Sequence, residues 1–288
     1  MAELKRRRGE NVAGSIFVDA SCIDCGTCRW VAPESFDESG GYSRVWRQPD
    51  TAGRRQRALM ALVACPTASI GSTEKRDLAG ATAAFPERIA GEVYHCGFHS
   101  EKSYGAASYF IRRPQGNILV DSPRFARPLV KRLEDLGGIS LMFLTHRDDV
   151  ADHAQFAKHF GCTRVIHADD AMAAREAERR IEGPGPVALA DDLVIVPVPG
   201  HTRGSMCLLY RNEFLFTGDH LQWRPETESL GAGRDVCWYD WREQTRSMAR
   251  LQAYAFEWVL PGHGRRCHMP AAHMARALAE CVRHMATQ

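Results

Sequence analysis

A chain of 288 residues with 44% hydrophobic and 25% charged residues has the make-up of an ordinary globular protein, long enough for one large domain or a small one joined to a medium one. A formal charge of +2 gives no global support for binding nucleic acid or a membrane surface, and the one basic run, Lys5-Arg6-Arg7-Arg8, reads as a solvated tail. No apolar stretch approaches the roughly 20 residues that cross a bilayer, and no apolar core or cleavage site follows the basic N-terminus, so the expected location is the cytoplasm. Thiols stay reduced there, so the ten cysteines are expected to be metal ligands or small buried residues, not disulfides.

In chain order, residues 15–18 read as a short strand leading into a cysteine-rich loop. Leu59, Leu62 and Val63 stand at helical spacing within 55–64, and 68–70 suggests a closing strand. Residues 73–90 include a run of small, polar and proline residues without periodicity, expected to be a linker between a domain at 1–72 and a second at 91–288. Beyond it, strand candidates at 108–111, 117–120, 141–144, 164–166, 193–198, 206–210, 214–216 and 258–260 are interspersed with helix candidates at 127–136, 152–159, 171–180, 241–254 and 269–284. Hairpin-like strands mixed with helices favour a layered α/β domain. Cysteine and histidine divide along the same line. Cys22, Cys25, Cys28 and Cys65 crowd the first quarter, whereas all twelve histidines lie at or beyond His95. Two chemically distinct domains are expected.

Cys22-Ile-Asp-Cys25-Gly-Thr-Cys28 is a C-x2-C-x2-C run, and Cys65-Pro66 follows 37 positions after Cys28. Such tight spacing wraps backbone around an iron–sulfide cube, leaving a remote cysteine to close the fourth corner. Four cysteines also suit structural zinc, although zinc sites more often pair two C-x2-C knuckles. Over about residues 15–72 the sequence resembles bacterial ferredoxins. Two-cluster members continue C-x3-C-P, but this chain has Ala32-Pro33 at that place and no second triple run. The resemblance therefore implies an α+β ferredoxin-like domain with one 4Fe-4S cluster held by Cys22, Cys25, Cys28 and Cys65.

Five further motifs place a histidine or aspartate where an apolar strand gives way to a loop: Asp121; Thr145-His146-Arg-Asp148-Asp149-Val-Ala-Asp152-His153; Pro199-Gly200-His201-Thr202; Thr217-Gly218-Asp219-His220; and Leu260-Pro261-Gly262-His263-Gly264. Such positions converge on one edge of a sheet, and their imidazoles and carboxylates suit zinc, iron or manganese. The series is similar to that of the metallo-β-lactamase superfamily, over residue 91 to about 264. That resemblance implies an αββα sandwich with one or two ions at a sheet edge. It puts His146 and His201 on the first ion, Asp152, His153 and His263 on the second, Asp219 as a bridge, and Asp121 as a buttress that binds no metal. Asp219 and Asp152 are its expected catalytic carboxylates. One departure stands out: the family run H-x-H-x-D-H is here H-x-D-x3-D-H, two residues longer. Asp148 is the nearest substitute for the missing histidine, with Asp149 a weaker candidate or a helix cap. A carboxylate there hardens the site towards iron or manganese, and flavodiiron proteins of this superfamily likewise carry one.

Tyr94, His95, His99 and Tyr104 could reach the mouth of such a site, but packing or surface roles fit them better; Trp223, Trp238, Tyr239 and Trp241 could line a pocket or pack a core. His220, His268, His273 and His284 are read as non-ligands, and the six remaining cysteines as packing residues. Three functions are open. The first is a redox-linked enzyme with a di-iron or mixed-metal centre fed by the cluster, acting on a small-molecule substrate with a redox partner protein. The second is a glyoxalase II-like hydrolase of a thioester or ester, since a metal lowers the pKa of bound water from about 15.7 to about 7. The third is a redox-sensing binding module.

Overall fold

In the computed structural model, which describes residues 2–288, the apolar run Ile16–Val18 forms strand β1 with all three side chains buried. The cysteine loop leads into helix α1 (Thr27–Val31), and a hairpin of β2 (Phe36–Ser39) and β3 (Tyr42–Val45) follows, turned at Gly40-Gly41. Helix α2 (Ala52–Ala64) begins before its apolar spacing does, because the Thr51 side chain accepts the Arg54 N–H and caps a polar first turn. Its inner face buries Met60, Ala61 and Val63. Strand β4 (Ile70–Ser72) closes back antiparallel on β1, with Ile70 opposite Val18. Residues 73–90, expected as a linker, hold α3 (Ala79–Ala83) and β5 (Glu87–Ala90). Strand β5 pairs antiparallel with β6 (Val93–His95), and β6 with β7 (Tyr109–Ile111). These elements and α4 (Arg127–Asp135) belong to one compact unit, made of residues up to Asn117 together with Ser122–Ile139.

The second unit comprises Ile118–Asp121 and Ser140–Gln288. Strands β8 (Ile118–Val120), β9 (Leu141–Phe143), β10 (Thr163–His167) and β11 (Arg179–Ile181) run parallel, in that order. The continuous apolar runs of β8 and β9 are those of strands covered on both faces. Helix α5 (His153–Phe160) makes the crossover from β9 to β10 and buries Phe156. A mixed sheet follows, in the order β12 (Val187–Ala190), β13 (Leu193–Pro197), β14 (Met206–Tyr210), β15 (Phe214–Gly218), β18 (Trp258–Pro261) and β19 (Cys267–His268). Between β15 and β18 come the hairpin β16 (Gln222–Arg224)–β17 (Ser229–Gly231) and helix α6 (Trp241–Arg250); α7 (Ala271–Ala286) ends the chain. Met248 of α6 and Met274, Leu278 and Met285 of α7 pack with Val196, Leu209, Leu215 and Val259 of the mixed sheet. Buried Cys207 and Cys281 are in the same core, as expected for packing cysteines.

The chain departs from its sequence pattern at 171–180, where a helix was expected. A 3-10 turn spans Ala168–Ala174 and strand β11 follows. The cause is tertiary: Arg164 bonds the Glu176 carbonyl and the Glu178 carboxylate, drawing this stretch out beside β10. The helix expected at 241–254 stops at Arg250 and gives way to a 3-10 turn. Among the described residues, no helix is long and apolar enough to cross a membrane.

Candidate metal centres

Cys22, Cys25 and Cys28 come from the loop and first turn of α1, and Cys65 is the residue that ends α2. All four line one pocket, and none is in a disulfide. Polar groups face the sulfurs: the Ser69 N–H reaches Cys65 Sγ at 3.3 Å, and Thr27 Oγ1 lies 3.4 Å from Cys25 Sγ. Burial pushes the Cys25 thiol up to about 11 and the Cys28 thiol higher, so iron has to displace thiol protons as it binds. Four converging sulfurs with hydrogen-bond donors around them fit an iron–sulfur cube.

The second gathering stands at the ends of β8, β9, β13, β15 and β18. His146 Nε2 lies 3.9 Å from Asp148 Oδ2 and 3.7 Å from Asp219 Oδ2. His201 Nε2 lies 3.4 Å from Asp148 Oδ2 and 3.6 Å from Asp219 Oδ2. Ligands about 2.0–2.2 Å from a tetrahedral ion are about 3.3–3.6 Å from each other, so His146, Asp148 and His201 are spaced as ligands of one ion would be, with Asp219 beside both imidazoles. Several have no hydrogen bond: His146 Nε2, His201 Nε2, Asp148 Oδ2 and both Asp149 oxygens are buried without one. Folded proteins rarely leave so many polar atoms unsatisfied together unless an ion meets them.

Electrostatics and local bonds prepare the same atoms. Asp121 accepts both the Thr145 N–H (2.7 Å) and the Thr145 hydroxyl, whose oxygen is 2.9 Å from His146 Nδ1. His146 Nδ1 then donates to that oxygen, and the Nε2 lone pair faces the space. Burial pushes His146 down to about 4, which keeps it neutral and able to ligate. The His201 imidazole beside Asp148, outweighing burial, holds that carboxyl below its usual range. Burial would raise the Asp219 carboxyl, but His263, His146 and His201 hold it well below. His263 Nδ1 is 2.9 Å from each Asp219 oxygen, and its N–H donates to Asp219 Oδ1. Asp149 closes this side: a Cβ placed on Gly262 would meet Asp149 Oδ2 at 2.5 Å and Asp219 Oδ1 at 3.0 Å. Burial and the Asp219 charge raise the Asp149 carboxyl well above its usual value.

The family model described as "4Fe-4S single cluster domain of Ferredoxin I" matches residues 18–72, which include all four cysteines of the first site. A comparison with solved structures finds a metallo-β-lactamase from Pontibacter korlensis, 17% identical over 70% of this chain and 98% of that one, with a TM-score of 0.51. It also finds the BLEG-1 B3 metallo-β-lactamase, at 16% identity, 61% and 93% coverage and a TM-score of 0.51. The metallo-β-lactamase FIM-1 from Pseudomonas aeruginosa, in its mono-zinc form, has values of 19%, 70%, 95% and 0.50. This chain joins a single-cluster ferredoxin domain to a metallo-β-lactamase fold. At these identities the second likeness is one of fold, an αββα arrangement following the small α+β ferredoxin domain. No curated protein matches the sequence.

Of the expected site residues, Asp152, His153 and His263 belong to neither group of closely spaced donors, which are His146–Asp148–His201 and His146–Asp149–Asp219; His263 borders the second group through Asp219. The two extra residues of the run are spent in a turn, closed by His153 N–H to Val150 O, with Ala151 at positive φ. That turn carries Asp152 to the start of α5 and brings His153 Nδ1 to within 3.3 Å of Arg164. Asp149 is the carboxylate that meets Asp219 instead. One residue was not singled out by sequence, and one read as a non-ligand lies buried. Asp170 is buried and accepts the Arg147 N–H, the Gly204 N–H and the Thr202 hydroxyl, tying both histidine loops together. His220 is also buried, and neither of its ring nitrogens has a hydrogen bond. Trp238 and Tyr239 stand exposed beside the site, their N–H groups donating to His201 O and the Trp238 ring 6.2 Å from that of His201.

Proposed function

We propose that this protein is a metalloenzyme that performs redox chemistry on a small substrate at an iron- or manganese-preferring edge, supplied with single electrons by its 4Fe-4S cluster. One observation carries the reading: the imidazoles of His146 and His201 converge on the Asp148 carboxylate, with 3.9 and 3.4 Å between donor atoms. Two histidines and a carboxylate with open positions form a donor set suited to non-haem iron. A second ion would be held by Asp149 and Asp219, with His263 beside Asp219. This assignment moves the second carboxylate role from Asp152 to Asp149.

Ions bound here would supply Lewis acidity and one-electron chemistry, which no side chain of the edge offers by itself. The chain's own residues do the positioning. Asp121 and Thr145 fix the His146 ring, and Asp170 holds the His146 and His201 loops at one spacing. Buried His146 and His201 leave approach to the half-exposed side, where the Asp148 and His263 side chains are 41% and 26% exposed. Trp238 offers that approach an aromatic wall. A redox partner protein recharges the cluster, and a reducing compartment such as the cytoplasm suits both centres.

The fold itself favours a second reading, hydrolysis of a thioester or ester, because the structural neighbours are named as β-lactamases and one was solved with zinc. The deciding experiment combines metal analysis of anaerobically purified protein with turnover. Two further irons beyond the cluster's four, and reoxidation of the reduced cluster by oxygen or peroxide that slows in His201→Ala, support the redox reading. Zinc at the edge with thioester turnover, and cluster reoxidation indifferent to His201, would replace it with hydrolysis. A redox-sensing binding module would give no turnover and keep its function in His201→Ala.

A further inference from the structure

The cluster site has a polar neighbour that neither the cysteine motif nor the proposed reaction uses. His95 and His99 are fully buried, and their Nε2 atoms are 2.9 Å apart. Trp30 packs against both rings, and Phe85 meets the His95 ring edge-on. His99 Nδ1 is 2.6 Å from the Gly105 carbonyl and 3.3 Å from Thr27 Oγ1. Thr27 Oγ1 in turn lies 3.4 Å from Cys25 Sγ and 3.3 Å from Gly105 O. Gly105 approaches the cluster ligands so closely that a Cβ on it would meet Cys25 Sγ at 2.9 Å. His95, His99 and Gly105 all lie outside the stretch matched by the ferredoxin model.

Donor and acceptor chemistry fixes the hydrogens along this chain. A carbonyl only accepts, so His99 Nδ1 carries a hydrogen whatever the charge of the pair. Thr27 therefore receives nothing but N–H from His99, and its own hydroxyl hydrogen must go to Gly105 O or to Cys25 Sγ. Gly105 O is already engaged by His99 at the shorter distance, whereas a cluster thiolate is charged and a stronger acceptor. We propose that Thr27 donates a hydrogen bond to Cys25 Sγ and so raises the reduction potential of the cluster, with His99, backed by His95, as the positioning residue that keeps the hydroxyl turned to sulfur. Hydrogen bonds to cluster sulfurs are among the features that set cluster potential. When the cluster takes one electron from a low-potential donor, negative charge on sulfur grows and the Thr27 bond strengthens; no proton is transferred. The inference needs the cluster but not the redox reading of the metal edge, so a hydrolytic edge would leave it standing.

The test is an anaerobic redox titration of the full, cluster-loaded chain with dithionite, followed by electron paramagnetic resonance. Thr27→Val is expected to reduce the equilibrium constant for cluster reduction at least tenfold, a downward shift of about 59 mV for one electron. Thr27→Ser keeps the hydroxyl and keeps the wild-type potential. His99→Phe frees Gly105 O to capture the hydroxyl, so its potential falls as in Thr27→Val, and the double variant falls no further. A loaded Thr27→Val protein at the wild-type potential overturns the proposal, as does a Thr27→Ser protein that falls with it. If Thr27→Val does not load, His99→Phe decides alone: an unshifted potential there overturns it.

Discussion

Replacing Gly105 by alanine perturbs the cluster site without touching a ligand. Gly105 has φ +85°, where an L-residue costs about 1–2 kcal/mol. Its new Cβ would also stand 2.6 Å from Cys25 Cβ, 2.9 Å from Cys25 Sγ and 3.1 Å from Pro66 Cγ. Relieving such overpacking costs about 1–3 kcal/mol, for a total of about 2–5 kcal/mol. That is less than the 5–15 kcal/mol typical of a whole domain, so the chain folds but Cys25 is pushed out of place. Gly40→Ala is the control: Gly40 also has positive φ, but a Cβ there meets nothing within 4 Å. The assay is iron and sulfide per chain after anaerobic reconstitution, together with urea unfolding of the cluster-free protein. With a urea slope of about 1–3 kcal/mol/M, Gly105→Ala should lower the midpoint by about 0.7 M or more and load little cluster. Gly40→Ala should lose at most strain energy and load fully. Full loading and an unchanged midpoint in Gly105→Ala would refute the packing described around Cys25.

Three further outcomes are expected. Asp148→His places a third imidazole beside His146 and His201 and should raise the zinc-to-iron ratio bound from an equimolar mixture; an unchanged ratio would show that Asp148 does not select the metal. Asp170→Asn loosens both histidine loops and should weaken edge-metal affinity by about tenfold, within the range seen for groups that orient ligands, as read by chelator competition. Arg164 beside Glu178 lowers that carboxyl to about 2 against an ordinary value of 4.5. Its stabilisation is therefore present above pH 4.5 and is lost as pH falls towards 2. Glu178 is 45% exposed, so solvent screening leaves about 1 kcal/mol. Glu178→Gln should melt lower than wild type at neutral pH, and that gap should close in acid.

The legible parts of this chain were those in which spacing alone carries chemistry. C-x2-C-x2-C is a local geometric statement, and the four cysteines do face one cavity. Histidines after apolar strands are also local, and His146, His201 and His263 stand at the ends of β9, β13 and β18. The Asp149 position depended instead on how two extra residues were absorbed. A turn at Val150–His153 decides that Asp149 meets Asp219 while His153 meets Arg164, and no periodicity encodes that choice. The stretch 171–180 was misread because its partner, Arg164, comes from another strand. The roles of Asp170 and of the Thr27–His99 contact were invisible for the same reason: Asp170 meets Arg147 from 23 residues away, and Thr27 meets His99 from 72.

The central claim is that sulfur ligands at the front of the chain and nitrogen–oxygen ligands at the back hold two separate inorganic centres. Cys25→Ala, purified without oxygen and examined by elemental analysis and electron paramagnetic resonance, tests it most directly. The cluster signal and its iron should disappear while metal bound by His146, Asp148 and His201 remains near the wild-type level. Loss of both together would contradict it.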